Sequence, residues 1–159
     1  MAATRVIPAY HRGYILDASV AAKWFVRHRE QDVDRAISLR DGHLAGRLQL
    51  VVPAFAFLEI LNAVRYAPRA AEPDGAQAIE LLEALNLQTE HLSWEVMRKA
   101  NAIAWAYKIA IYDAAYVALA EYLGLPLITA DEALLEKMKG HSIVLRLSDL
   151  QFPEDPQVQ

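Results

Sequence analysis

Four acidic residues stand among apolar neighbours: Asp17, Glu59, Asp113 and Asp131. Asp17 follows the run Tyr14-Ile15-Leu16 and precedes ASVAAKWFV, and Asp131 follows Leu127-Ile128-Thr129-Ala130. Both sit where a short β-prone segment hands over to a helix. Glu59 lies inside AFAFLEILNAVRYA, flanked by Leu58 and Ile60, and Asp113 lies between Ile111 and the run Ala114-Ala115. An ionised carboxylate in apolar surroundings is costly unless it is paired, hydrogen-bonded or bound to a metal. Brought together, four such groups repel, and some take up protons unless a cation compensates. A divalent ion resolves that conflict. The chain has no cysteine, and its five histidines include no i, i+4 pair. The available donors are therefore carboxylate oxygens, which favour Mg²⁺ or Mn²⁺ over zinc. Two such ions about 4 Å apart can clamp the attacking and leaving oxygens of a phosphodiester. Ser19 and Thr129, two residues from Asp17 and Asp131, are placed to orient a carboxylate or a bound water.

Each acid also has a plainer role open to it. Asp17 and Asp131 are good N-cap residues for the helices that follow them. Glu59 has Asn62 and Arg65 on the same helical stripe, at i+3 and i+6, as partners for a hydrogen bond or an ion pair. Asp113 is placed to cap the helix it opens, and for Thr129 simple capping is the favoured reading.

The elements that must position these acids alternate between strand and helix. Strands are expected at 14–16, 48–52, 87–92, 127–129 and 141–147. Helices are expected at 18–26, 32–45, 54–67, 76–85, 95–108 and 112–121, with another beginning after Asp131. Helix 54–67 is apolar nearly all round and is expected to be mostly buried. Pro68 to Gly75 (PRAAEPDG) is the clearest loop. This alternation is the pattern of an α/β fold whose central parallel sheet is covered on both faces. In such sheets ligands bind at the C-terminal ends of the strands, which is where Asp17 and Asp131 fall.

Bulk properties narrow the class. With 159 residues, 55% hydrophobic and 23% charged, the chain reads as one ordered domain. The expected division is a lead-in at 1–13, the domain at 14–150 and a proline-containing tail at 151–159. The net charge of −4 argues against a passive nucleic-acid coat, whose affinity would come from cationic surface. It leaves room for an enzyme that concentrates acids at a metal site. Lys23, Arg27, Arg29, Arg65 and Arg69 are the bases placed to contact a nucleic-acid backbone. Trp94, Trp105 and Tyr107 on one helix suit base stacking less well than core or dimer packing. No signal peptide or membrane span is read, so a cytoplasmic protein is expected. A dinucleotide site is excluded, because no G-x-G-x-x-G follows the first strand.

Three blocks, DASVAAKWF around Asp17, PAFAFLEILNAV around Glu59 and YDAAYVALAEYLGLPLITAD around Asp113 and Asp131, resemble the PIN-domain nucleases. The likeness is nearest to the VapC toxins of prokaryotic toxin–antitoxin pairs and covers about Tyr14 to Leu147. It implies a three-layer α/β/α sandwich with a parallel sheet of order 3-2-1-4-5. It implies Mg²⁺- or Mn²⁺-dependent hydrolysis of RNA by an endoribonuclease. The family's acids fall on Asp17, Glu59, Asp113 and Asp131, as metal ligands and catalytic groups. Its hydroxyl near the first acid falls on Ser19, and its supporting Asn on Asn62. The resemblance further implies a homodimer silenced by a cognate VapB-like antitoxin. The alternatives that share these acids are an RNA-processing or structure-specific DNA nuclease outside toxin–antitoxin systems, and a non-catalytic module of the same fold.

Overall fold

The computed structural model describes residues 5–6 and 13–152. Five parallel strands form the central sheet: β1 (Gly13–Leu16), β2 (Gln49–Pro53), β3 (Gln88–Glu90), β4 (Leu127–Thr129) and β5 (Val144–Arg146). Their order is β3-β2-β1-β4-β5, as expected. Ile15 pairs with Val51 on one side and with Leu127 on the other, so β1 is the central strand. Ile15, Leu16, Leu50, Val51, Val52, Leu127 and Ile128 are all buried. Continuous apolar strands of this kind require cover on both faces.

The helices supply that cover in an α/β/α arrangement. They are α1 (Ala18–Ala21), α2 (Val33–Leu44), α3 (Ala56–Arg65), α4 (Glu72–Leu85), α5 (Trp94–Tyr107), α6 (Ile111–Leu123) and α7 (Glu132–Lys137). A single 3₁₀ turn, Ala22–Trp24, extends α1. Helix α6 is the buried one: every residue from Ala114 to Ala120 is out of solvent. Its alanines let it lie close against α5 and the strands β1 and β4. Gly124 ends it at φ +66, where a side chain would be strained, and the Leu125 N–H returns to the Ala120 carbonyl at 3.0 Å. Pro126 then leads straight into β4, its carbonyl accepting the Ile15 N–H at 2.8 Å.

Two expectations needed correction, and of the two packing roles expected for the α5 tryptophans the core one falls away. Helix α4 begins at Glu72, inside the stretch read as a loop. Proline in the first turn forfeits no helical hydrogen bond, and the Asp74 carboxylate accepts the Ala71 N–H at 2.7 Å, so PDG initiates the helix. Helix α3 is not mostly buried: Ala56, Ile60 and Val64 face the core, while Leu58 on the other side is 71% exposed. Trp94 and Trp105 are not core residues, at 75% and 80% exposed. Arg5–Val6, within the expected lead-in, pairs in parallel with Leu150–Gln151. Most of the remaining lead-in and residues 153–159 of the expected tail lie outside the described residues.

Candidate active site

All five strands run the same way, so their C-terminal ends share one edge of the sheet. Asp17 is the residue after β1, and its N–H donates to the Ile128 carbonyl of β4 at 3.0 Å. Its carboxylate is buried, at 6% exposure, and does not cap α1. Oδ2 instead accepts two short hydrogen bonds, from Ser19 Oγ and Thr129 Oγ1, both at 2.6 Å. Each hydroxyl is itself fixed by the backbone. The Ala130 N–H donates to Ser19 Oγ at 3.1 Å, and the Asp131 N–H donates to Thr129 Oγ1 at 3.0 Å. Thr129 therefore joins β1 to the end of β4, a larger role than the simple capping its sequence position suggested.

Asp131 does cap its helix. Oδ1 accepts the N–H groups of Ala133 at 2.9 Å and Leu134 at 3.1 Å at the start of α7. Asp113 sits in the first turn of α6, where Ala110 occupies the cap position, and it is half-buried. Glu59 lies in the first turn of α3 rather than its middle, because the helix starts at Ala56. Its partner is neither Arg65 nor Asn62. Tyr116 Oη, buried in α6, donates to Glu59 Oε1 at 2.7 Å. Arg65 instead lies over the Tyr66 ring, at 5.5 Å from the centroid, and Asn62 is exposed.

The acids lie near enough for their charges to act on one another. Burial pushes Asp17 above the usual carboxylate range, against the Ser19 and Thr129 hydrogen bonds, and the Asp131 charge adds to the rise. Burial also raises Glu59, with the Tyr116 hydrogen bond opposing and the charges of Asp17 and Asp113 reinforcing. Asp113 is pushed from 3.8 to about 6, by burial first and then by the charges of Asp17 and Asp131, with Lys137 pulling the other way. Burial, together with the charges of Asp17 and Glu59, holds the Tyr116 hydroxyl well above the ordinary phenol range, so it is always a donor.

Whether these residues suit a divalent cation is answered by their chemistry. The donors are hard carboxylate oxygens, the type Mg²⁺ and Mn²⁺ prefer. Lys137 acts to lower Asp113, but burial and the charges of Asp17 and Asp131 outweigh it. Among the described residues no three acids or histidines already converge as ligands around one point. The reason is visible in the hydrogen bonds: Asp17 Oδ2, Glu59 Oε1 and Asp131 Oδ1 are turned to partners within the protein. A cation held here would keep most of its waters or draw these carboxylates in, and Mg²⁺ commonly does the former.

The bases fall into two groups. Lys23 is buried and paired with Glu30 Oε2 at 2.6 Å. Arg27 donates to the Trp24 carbonyl at 3.3 Å. Arg29 and Arg69 stand at positive-φ turns on the surface. Arg146, at the end of β5 and paired with Glu132, is a base near the same edge that sequence reasoning did not single out. Tyr116 was also missed as a site residue. The sequence signal for it was a hydroxyl-bearing ring three residues after Asp113, within the apolar run Ala114 to Ala120.

Comparison with known proteins agrees with this fold. A model of the PIN-domain family matches residues 14–140. Ribonuclease VapC3 of Pyrobaculum aerophilum is 33% identical over 128 residues, covering 77% of this chain and 92% of that protein. Among solved structures, PAE2754 from Pyrobaculum aerophilum superposes with a TM-score of 0.57 at 26% identity, covering 89% of this chain and 93% of the other. A toxin–antitoxin complex from Klebsiella pneumoniae superposes with a TM-score of 0.63 at 16% identity, covering 84% and 97%. Matched along most of its length by sequence and by fold, this chain belongs to the PIN-domain family.

Proposed function

We propose that this chain is a metal-dependent endoribonuclease, the toxin of a VapBC-type toxin–antitoxin pair, acting in the cytoplasm. One observation carries the reading: carboxylates from four separate segments crowd one edge of the sheet, where burial and neighbouring negative charge raise the proton affinity of Asp17, Glu59 and Asp113. The 33% identity to ribonuclease VapC3 supports RNA as the substrate. Asp17, Glu59, Asp113 and Asp131 are the groups that would hold Mg²⁺ or Mn²⁺. Such an ion, when bound, lowers the pKa of water and neutralises charge building on a phosphodiester.

The chain's own residues set the stage for this. Ser19 and Thr129 fix Asp17 Oδ2, so the carboxylate is held in one orientation. Asp131 is anchored through Oδ1 to the start of α7, leaving Oδ2 free. Asp113 holds a proton below about pH 6, and a bound cation would favour its ionised form. Ser19 acts as an orienting donor, because its hydroxyl is already committed to a carboxylate.

The partners proposed are a VapB-like antitoxin and a second copy of the chain. Support for the first is the kinship to toxin–antitoxin proteins. It is joined by an apolar groove of about 650 Å³ between α3 and α4, lined by Leu61, Val64, Ala76 and Ile79. Support for the second is the stripe of Trp94, Met97 and Trp105 on one exposed face of α5.

Incubating the protein with total RNA and Mg²⁺, with and without chelator, and mapping product ends tests the reading. Cleavage that stops with chelator and with Asp113→Asn is the expected result. Chelator-resistant cleavage, or none at all, would refute it.

A further inference from the structure

The hydroxyl of Tyr116 does more than satisfy a buried phenol. The side chain is 0% exposed, yet its oxygen contacts two different elements of the site. It donates to Glu59 Oε1 at 2.7 Å and accepts the N–H of Ala18, the residue after Asp17, at 3.3 Å. One atom on α6 thus links the acid of α3 to the backbone that carries the acid of β1. The ring is fixed by Phe55, which meets it edge-on at 5.2 Å and also meets Tyr112 at 5.4 Å. Glu59 has a flexible side chain on a half-exposed helix, with no cation holding it among the described residues. Without Tyr116 its carboxylate would sample several rotamers. With Tyr116, Oε1 is pinned and Oε2 is the oxygen left over.

We infer that Tyr116 is the positioning residue for Glu59, holding one carboxylate oxygen so that the other faces the cluster as a ligand for a divalent cation or its water. The inference rests on the metal-nuclease reading above. Partners that hold a ligand from outside the metal's own shell typically change metal affinity or activity ten- to a hundredfold when removed. A purely structural tyrosine would change stability alone.

The test is Mn²⁺ titration by calorimetry on the wild type, Tyr116→Phe, Glu59→Gln and the double variant, with RNA cleavage measured in parallel. Phenylalanine keeps the ring and its packing, and melting in chelator establishes that each variant is folded. Tyr116→Phe is expected to weaken Mn²⁺ binding about tenfold, with no further loss when added to Glu59→Gln, because the two act through one carboxylate. Unchanged affinity in Tyr116→Phe, or an equal loss in the Glu59→Gln background, overturns the positioning role while leaving the metal-nuclease reading intact. A wild type that binds no Mn²⁺ overturns both. Should Tyr116→Phe fail to fold, the slowly exchanging hydroxyl proton of Tyr116 in the wild type provides the readout by NMR. It is expected to shift on Mg²⁺ addition in the wild type and not in Glu59→Gln. No shift in the wild type, or the same shift in both, contradicts the inference.

Discussion

Replacing Asp113 by Asn should make the apo protein more stable while removing its activity. The carboxyl is pushed from 3.8 to about 6 by burial and by the charges of Asp17 and Asp131. The folded state therefore binds a proton more tightly than the unfolded state. Stability contributed by that proton is present below about pH 3.8 and is lost as pH rises to about 6. Above about pH 6 the wild type carries the full cost of the crowded charge. At face value the shift corresponds to about 3 kcal/mol. Asp113 is only half-buried, so solvent screening reduces this to roughly 2 kcal/mol. Its place in the first turn of α6 returns up to about 1 kcal/mol, because a helix N-terminus favours an anion. Crowding still wins, by about 1 kcal/mol. In a chain of this size that is a melting-temperature rise of roughly 2–4 °C for Asp113→Asn at pH 8. The gain should shrink to a small fraction at pH 4, where the folded wild type is already protonated. Saturating Mg²⁺ should reverse the order at pH 8, since a ligand at a hundredfold its Kd adds about 2.7 kcal/mol to the protein that binds it. Melting by circular dichroism at pH 4 and pH 8, in chelator and then in Mg²⁺, checks all of this. A variant less stable than wild type at pH 8 in chelator, or a gain independent of pH, would refute the reasoning.

Other outcomes follow from the same geometry. Thr129→Val removes one of the two donors to Asp17 Oδ2 and the acceptor for the Asp131 N–H; it should cost about 1–3 kcal/mol by urea denaturation and slow RNA cleavage as well. Gly124→Ala forces a side chain into φ +66 at the end of α6 and should cost about 1 kcal/mol, with cleavage per folded molecule unchanged. Trp105→Glu places a charge in the exposed aromatic stripe of α5; if the proposed dimer packs through it, light scattering should show a dimer for the wild type and a monomer for the variant, and equal masses would remove α5 from the interface.

Much of the fold was legible because its signals are local. The strands at Asp17 and Asp131 are short apolar runs punctuated by turn residues, and Gly124-Leu125-Pro126 marks the end of α6 by backbone chemistry alone. That strands alternate with helices already implies a parallel sheet, and the sheet order followed from the resemblance. The misreadings came from signals with two physical meanings. PDG breaks a helix in its interior but starts one when an aspartate captures a free N–H, as Asp74 does at α4. An all-apolar helix suggests burial, yet α3 keeps Leu58 outside. At the site, each acid could be named from its apolar neighbours, and the local partners, Ser19 beside Asp17 and the helix start after Asp131, were legible too, but the distant ones were not. Glu59 is bound by Tyr116, 57 residues away, and Asp17 by Thr129, 112 residues away. Such contacts depend on how helices pack on the sheet, which no local pattern encodes.

The carboxylates of Asp17, Glu59, Asp113 and Asp131 are proposed to form together a seat for a divalent cation. Crystals soaked in Mn²⁺ and measured for anomalous scattering test it most directly. A peak among these four side chains, lost in Asp113→Asn, is the result this account predicts. A peak only at other carboxylates, or none at Mn²⁺ concentrations that support RNA cleavage, would contradict it.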